Sequence, residues 1–381
     1  MKVIAFYLPQ FHNIPENDEW WGDGFTEWTN VKKAKPVFEG HQQPRIPLNN
    51  NYYNLLDNNV KKWQADLAKK YGIYGFAYYH YWFNGKMLLE KPMEQMLQDK
   101  EIDIPFCISW ANEPWTKAWV GNERKTLIAQ FYGNEDEWKE HFEYLLPFFK
   151  DERYIKEDNK PLFIIYRPEI IPCLNNMLDY WQKLAEENGF NGMKFAYQSS
   201  EFDLFPDKDD SRFDYDIEFQ PDVAFSALKR EKKFTWLRNL RRKAVRVFGQ
   251  KFGIDLYRFG GKTLQKLAGT NRVEYDKVWN KILTTKPISD KSVPGAYVGW
   301  DNSPRYGEKA TIHLGDSPQK LEKYMTAQIK RAKEVYKKDM LFIFAWNEWA
   351  EGGYLEPDER YGYANLEAIK NALIANNEFP W

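Results

Sequence analysis

The sequence predicts an α/β protein whose strands close into a (β/α)8 TIM barrel, and three observations predict it. Eight short apolar runs of strand length recur along the 381 residues. Amphipathic helical patterns lie between most of them, and almost every run ends in the same mixture of polar and aromatic residues. Runs without internal alternation suit strands buried on both faces, as parallel strands covered by helices are. Strands alternating with helices give βαβ units, and eight of them fit a closed barrel better than an open sheet. The length is that of a decorated barrel.

Val3–Leu8 is the first strand, running into Tyr7-Leu8-Pro9-Gln10-Phe11-His12. Glu16–Asn51 follows as a long loop rich in Trp, Gly, Pro and Asn. It contains the tract from Trp20 to Trp28, and loops of this length after a barrel strand usually wall the cleft. Leu55–Tyr71 reads as a helix with Val60, Trp63, Leu67 and Ala68 on one face and Gly72 as its stop. The second strand, Ile73–Tyr81, ends with His80, Tyr81 and Trp82. The third, Ile104–Trp110, continues into Ala111-Asn112-Glu113-Pro114-Trp115. After a helix over Trp138–Phe149, the strand Pro161–Tyr166 delivers Arg167. After a helix over Met177–Glu187, the strand Met193–Tyr197 delivers Gln198. Tyr215–Phe219 carries Glu218 towards Gln220. Val293–Trp300 leads to Asp301, Asn302 and Arg305, and a helix over Pro318–Lys337 precedes the last strand, Leu341–Trp346.

In a barrel the C-terminal strand ends converge on one rim. That rim would gather Tyr7, Gln10, His12, His80, Trp110, Asn112, Glu113, Trp115, Arg167, Gln198, Trp300 and Asp301. The segment Trp346-Asn347-Glu348-Trp349-Ala350-Glu351-Gly352-Gly353 would join them. Glu348 and Glu351 arrive three residues apart among tryptophans, and Gly352-Gly353 permits a sharp turn. Aromatic residues make up 17 % of the chain, including 16 tryptophans. Ring faces suit the C–H faces of sugars, while amides and carboxylates suit their hydroxyls. The expected partner is therefore an oligosaccharide or polysaccharide. Cleavage of a glycosidic bond usually needs two carboxyl groups, and Glu348, Glu351 and Glu113 compete for those roles.

Other classes find little support. The net charge of −1 gives no reason to expect nucleic acid. Gly260-Gly261-Lys262-Thr263 resembles the tail of a phosphate-binding loop, but Leu256 stands where the pattern requires glycine. The five histidines show no paired spacing, so neither metal nor cofactor is expected. Two cysteines, Cys107 and Cys173, provide no disulfide framework and fit a reducing compartment. The first residues lack the length and cleavage site of a signal peptide, and no apolar run approaches a membrane span. A soluble cytoplasmic protein is expected.

The chain reads as one catalytic domain, 1–381, with a basic helical insertion at 222–287. Between Lys229 and Lys251 the insertion has ten Lys/Arg against the single acid Glu231, interleaved with Phe234, Trp236 and Phe248. Solvated helices are the ordinary reading of such a run. The sharper one is peripheral contact through 229–251 with the inner membrane face or a lipid-linked glycan.

The segment Trp346–Gly352 resembles the Asn-Glu-Trp-x-Glu-Gly signature of the WbsX-type family. Ala5–His12, Trp21–Trp28 and Ser109–Trp115 are similar to the same family. That family is labelled as glycosyltransferases of bacterial O-antigen and lipopolysaccharide assembly, and it is similar to the family 99 glycoside hydrolases, endo-α-mannosidases and endomannanases. The resemblance implies a (β/α)8 fold and chemistry on α-linked sugars with retained configuration. It also implies that Glu348 deprotonates the sugar's own 2-hydroxyl, which attacks the anomeric carbon, and that Glu351 serves as acid and then base. Glu348 would then be ionised at rest and Glu351 protonated. Ala350 stands where many of the hydrolases have histidine. A nucleotide-sugar-dependent transferase holding phosphates with Arg167, Arg305 or the insertion is the alternative enzyme, and a non-catalytic glycan-binding barrel is the alternative outside catalysis.

Overall fold

Parallel strands and covering helices form the barrel that the sequence predicts. The computed structural model describes residues 1–117, 125–199, 209–231 and 270–381. The barrel strands are β1 (Lys2–Tyr7), β2 (Gly75–Phe83), β3 (Phe106–Trp110), β4 (Lys160–Ile165), β5 (Lys194–Ser199), β6 (Tyr215–Glu218), β7 (Ser292–Val293), β8 (Gly295–Tyr297) and β9 (Met340–Phe344). The helices used below are α1 (Asn58–Lys70), α2 (Lys91–Gln98), α3 (Glu135–Lys150), α4 (Leu174–Glu187), α5 (Asp222–Glu231), α6 (Tyr275–Thr284), α7 (Pro318–Glu334) and α8 (Ala364–Ala375). Three of them start on a side-chain cap that accepts a backbone N–H: Asp57 for α1, Asn134 for α3 and Ser317 for α7.

Around the ring the order is β7-β6-β5-β4-β3-β2-β1-β9-β8, and every one of these pairings is parallel. The two ends of the order, β7 and β8, are separated by Pro294 alone. The expected seventh strand is thus one segment interrupted where proline has no N–H for the ladder. Its first half pairs with β6 and its second half with β9, which closes the ring. Gly295 occupies this seam because a Cβ there would lie 1.8 Å from the Glu218 carbonyl oxygen.

Side chains alternate between the barrel interior and the helical layer. Phe6 packs inside against Tyr79, Phe219 and Phe342, and Phe219 meets Phe344. The next residue, Tyr7, faces outward, where its hydroxyl donates to Gln64 Oε1 of α1 at 2.7 Å. On β2 the same alternation turns Tyr79 inward and His80 outward, towards His141 of α3. This phase decides which residues reach the rim.

The insertion is described only at its edges, by α5, the strand Asn271–Glu274 and α6. Residues 232–251 of the basic stretch, together with the glycine-lysine tract at 260–263, lie outside the described residues. Among the described residues, no helix is long and apolar enough to cross a membrane.

Candidate active site

After β9 the chain turns at once. Asn347–Glu348 pairs antiparallel with Gly353–Tyr354, and the tight helical turn Trp349–Glu351 lies between them. Gly352 makes this turn possible. Its φ is +67°, and a Cβ would lie 2.8 Å from the Asp301 backbone nitrogen. The Asp301 N–H donates to the Glu351 carbonyl at 2.7 Å, which binds the turn to the end of the seventh-strand segment.

The turn presents Glu348 to a cavity of about 420 Å³. Among the described residues, its walls include Leu8 and Gln10 after β1, Trp21, Phe25, Glu27 and Asn30 of the first loop, and Tyr81 of β2. Glu113, Pro114 and Trp115 after β3 and Arg305 complete this side of the site. The long first loop, the ends of β1, β2, β3 and β9, and Arg305 beyond the seventh strand therefore wall the opening, with acids and aromatic rings together. Trp115 stands edge-on to Tyr81 and to Trp20.

Arg305 organises the charge. Its Nε and Nη2 donate to Glu27 Oε1 at 3.0 and 2.6 Å, its Nη1 bonds Glu351, and its Nη2 lies 3.6 Å from Glu348 Oε2. Burial opposes the guanidinium charge, but Glu27, Glu351 and Glu348 outweigh it and hold Arg305 protonated. Three carboxyl groups thus share one cation. Glu348 Oε2 is buried and accepts no hydrogen bond among the described residues. Burial first, and then the charge of Glu351, push the Glu348 carboxyl well above the usual range against the pull of Arg305. Burial also raises Glu351, with Arg305 opposing. Both carboxyls are thus raised, and of the two only Glu351 has a direct bond to the cation.

Several residues expected at the rim lie elsewhere, and strand phase explains most of them. Tyr7 and His80 face the helices. His80 Nε2 is 3.0 Å from His141 Nε2, and burial lowers its pKa to about 3. Trp110 is also in the outer layer, donating to the Trp82 carbonyl at 3.2 Å with its ring against His141. His12 is fully buried, its Nδ1 3.0 Å from the Pro9 carbonyl, and burial lowers its pKa to about 4. Gln198 faces the barrel interior, where Nε2 donates to Ser109 Oγ at 2.9 Å. Trp300 packs on Phe344.

The two Asn-Glu strand endings divide their labour in the same way. Asn112 donates to the Arg167 carbonyl and accepts the Arg167 N–H, both at 2.8 Å. Asn347 donates to the Leu8 carbonyl at 3.0 Å and accepts the Leu8 N–H at 2.8 Å. Each amide clasps a neighbouring strand end, and each following glutamate, Glu113 and Glu348, reaches the cavity. Arg167 bonds both Glu113 and Glu169. Asp301 anchors the first loop by accepting from His41 Nε2 at 2.8 Å and Gln43 Nε2 at 2.7 Å. Burial opposes its charge, but His41, Ser303 and Arg45 hold its pKa at about 2.

Glu27 and Glu356 are the acidic site residues absent from the expected set. Glu27 sits in the tract Trp20–Trp28, whose aromatic density was a visible signal. Glu356 has no such signal. It lies buried behind the turn and accepts Gln64 Nε2 at 2.6 Å and Trp346 Nε1 at 3.0 Å on one oxygen. The other oxygen takes Trp349 Nε1 at 2.7 Å and the Tyr53 hydroxyl at 2.8 Å. Burial lifts its pKa to about 7 against these four bonds. Trp346 and Trp349 therefore hold the turn from behind. Trp349 also stacks on Tyr354 at 3.8 Å. Among the described residues, no group of three or more His, Cys, Asp or Glu is disposed to hold a metal ion.

Comparison with known proteins places this site in a family context. The family model described as "Glycosyltransferase WbsX" matches residues 3–369. The chain is 37% identical over 374 residues to the protein WxcX of Xanthomonas campestris pv. campestris strain B100, covering 97% of this chain and 49% of WxcX. WxcX of strain ATCC 33913 is also 37% identical, over 377 residues, with the same coverage. The chain thus spans about half the length of the curated relatives it matches. A GH99 endo-alpha-mannosidase of Bacteroides thetaiotaomicron bound to bis-tris-propane superposes with a TM-score of 0.54 at 14% identity, over 99% of this chain and 97% of that one. Another structure of the Bacteroides thetaiotaomicron GH99 endo-alpha-mannosidase gives 0.52 at 15% identity with the same coverage. At these identities the likeness is one of fold.

Proposed function

Because the chain belongs to the WbsX glycosyltransferase family, we propose that it is a retaining carbohydrate-active enzyme that cleaves or transfers an α-linked, mannoside-like glycosyl unit in bacterial surface-polysaccharide metabolism. Glu348 and Glu351 carry the proton transfers. The observation that supports this most strongly is Glu348 itself. Its carboxyl is buried in the wall of a 420 Å³ cavity, and one oxygen accepts no hydrogen bond among the described residues. A buried acceptor of that kind lacks a partner that a sugar hydroxyl can supply.

In the proposed reaction, the 2-hydroxyl of the reacting sugar gives its proton to Glu348, and its oxygen attacks the anomeric carbon as the glycosidic C–O bond breaks. Glu351 gives a proton to the departing oxygen, and then takes one from the water or acceptor hydroxyl that opens the resulting anhydrosugar. Glu348 returns its proton to the 2-oxygen. Two displacements at the anomeric carbon retain its configuration. Glu348 must be ionised when it acts. Glu351 must be protonated at the same moment, so the pair carries one proton when it reacts. Trp115, Tyr81 and Trp21 supply ring faces for the sugar, and Gln10 and Asn30 supply amides.

The ion pairs favour this chemistry over phosphate binding at the rim. Arg305 is bonded to Glu27 and Glu351, and Arg167 to Glu113 and Glu169. A phosphate group would have to displace these carboxylates. The whole chain remains one catalytic domain in this proposal, with the segment at 222–287 as its insertion. Incubation with α-linked oligosaccharides and with nucleotide sugars, followed by mass detection, tests the reading. Product from oligosaccharides alone is expected. Product only in the presence of a nucleotide sugar would replace it with the nucleotide-dependent transferase, and binding without product would leave a glycan-binding barrel.

A further inference from the structure

The turn that presents Glu348 to the cavity has a second cleft on its other side. Trp349, the next residue, does not line the 420 Å³ cavity. It forms part of a separate cleft of about 390 Å³, together with Tyr53, Glu356, Trp63 of α1, Tyr363 before α8 and the loop 47–51. That volume lies within the range of small-ligand sites, about 300–1,000 Å³.

The unusual part of the lining is the run Asn49-Asn50-Asn51. All three are exposed. Asn49 and Asn50 adopt left-handed backbone conformations, with φ of 58° and 55°. Such conformations are disfavoured for residues other than glycine, and asparagine tolerates them better than most. Observed outliers of this kind concentrate at ligand sites. The backbone N–H of Asn49 donates to Glu359 Oε1 at 2.6 Å, and that of Asn50 to the Pro47 carbonyl at 2.9 Å, which fixes the loop. The three side-chain amides make no hydrogen bond among the described residues. Opposite them, Trp63 is half-buried, and Tyr363 is 38 % exposed and stacked on Tyr71. Glu356 is a poor ligand for a cation, because each of its oxygens already accepts two hydrogen bonds.

Unspent amides beside aromatic faces, with no basic residue among the described lining residues, suit a neutral polyhydroxylated ring. They do not suit a phosphate or a hydrocarbon. We infer that the cleft between the loop 47–51, Trp63 and Tyr363 is a second carbohydrate-binding site, which holds a glycan segment away from the reacting bond. Hydroxyls bond the asparagine amides, and the C–H face of the ring lies on an aromatic side chain. This inference goes beyond the catalytic reading and does not require it.

The test uses the full chain carrying Glu348→Gln, so that binding is measured without turnover. Calorimetric titration with short and long α-linked manno- and gluco-oligosaccharides is compared with that of Asn50→Gly and Tyr363→Ser versions. Asn50→Gly removes the amide while accepting the same backbone conformation, and Tyr363 is exposed, so neither change threatens the fold. Each is expected to weaken binding of at least one long glycan about fivefold or more. Each should leave turnover of short substrates unchanged in the chain that retains Glu348. Affinities that neither substitution alters, for every glycan tested, would overturn the inference. A chain that forms no product but still shows Asn50-dependent binding would support the second site while removing the catalytic proposal. A chain that forms product but shows no such binding would do the reverse.

Discussion

Glu348 Oε2 lies 3.6 Å from Arg305 Nη2, outside hydrogen-bond distance, although the same guanidinium bonds Glu351 and Glu27 directly. One buried cation therefore serves three carboxyl groups unequally. The least served is the one that lines the cavity with an unpartnered oxygen. Arg305 links the three by opposing the rise that burial imposes on Glu348 and Glu351.

Replacing that link separates charge from geometry. Arg305→Lys keeps a cation but loses the planar fork that reaches Glu27 and Glu351 together. Turnover should fall about 10²–10³-fold. Arg305→Met, which leaves the carboxylates without a buried cation, should also cost about 3–5 kcal/mol of stability. Steady-state kinetics and thermal unfolding of the two variants check this. Full activity in Arg305→Lys would show that the fork is dispensable.

Glu356 gives a prediction about positioning. A glutamine there offers one carbonyl oxygen and one NH2 group to the indole N–H of Trp346 and of Trp349, so at least one indole loses its acceptor. Each buried donor left unpaired costs about 1–3 kcal/mol. Glu356→Gln should therefore lower stability by about that amount and reduce kcat more than it changes KM, because the turn carrying Glu348 shifts while the aromatic walls remain. The sign of the pH effect follows from the raised pKa. The folded value is about 7 against an ordinary 4.5. The fold thus favours protonated Glu356, an advantage complete below the ordinary value and lost as pH rises through 7. Between those limits the protein should lose up to about 3 kcal/mol from this group, and the loss should be absent in Glu356→Gln. Urea unfolding at a series of pH values reads the slope.

The paired clasps at Asn112 and Asn347 predict a different kind of loss. Aspartate at either position keeps an acceptor for one backbone N–H but sets a carboxylate oxygen against the carbonyl of Arg167 or Leu8. A destabilisation of about 1–3 kcal/mol is expected for each. It should be larger for Asn347, where Leu8 and Asn347 are both buried. Denaturation curves for Asn112→Asp and Asn347→Asp decide it. Equal, negligible changes would mean that the amides do not hold the strand ends.

The barrel and the last-strand turn were legible because their signals are local: apolar runs, helical periodicity, and polarity that switches abruptly at Trp346. Strand phase was not. A strand buried on both faces has no polar alternation, so nothing in Phe6-Tyr7 or Tyr79-His80 shows which member points inward. Tyr7 and His80 were placed on the wrong side for that reason. Glu27 was visible only as one acid in an aromatic loop, since its partner Arg305 lies 278 residues away. Glu356 was hidden because its four donors come from Tyr53, Gln64, Trp346 and Trp349, which only the fold brings together.

The mechanism itself makes the most discriminating prediction. If Glu348 takes the proton of the sugar 2-hydroxyl, it must be ionised to act, yet burial and Glu351 raise its pKa well above the usual range. The pair must hold one proton, with Glu348 ionised and Glu351 protonated as they act, so kcat/KM should be bell-shaped in pH with both limbs moved upward by burial. Glu348→Gln and Glu351→Gln should each reduce turnover about 10²–10⁴-fold and leave sugar binding nearly intact. A substrate lacking the 2-hydroxyl should bind and fail to react with the unaltered chain, since the attacking oxygen is missing. Capture of a sugar ester on Glu348, by mass analysis of the protein after rapid quenching, would instead make Glu348 the nucleophile of an ordinary two-carboxylate reaction. The acid would then be Glu351 or Glu113.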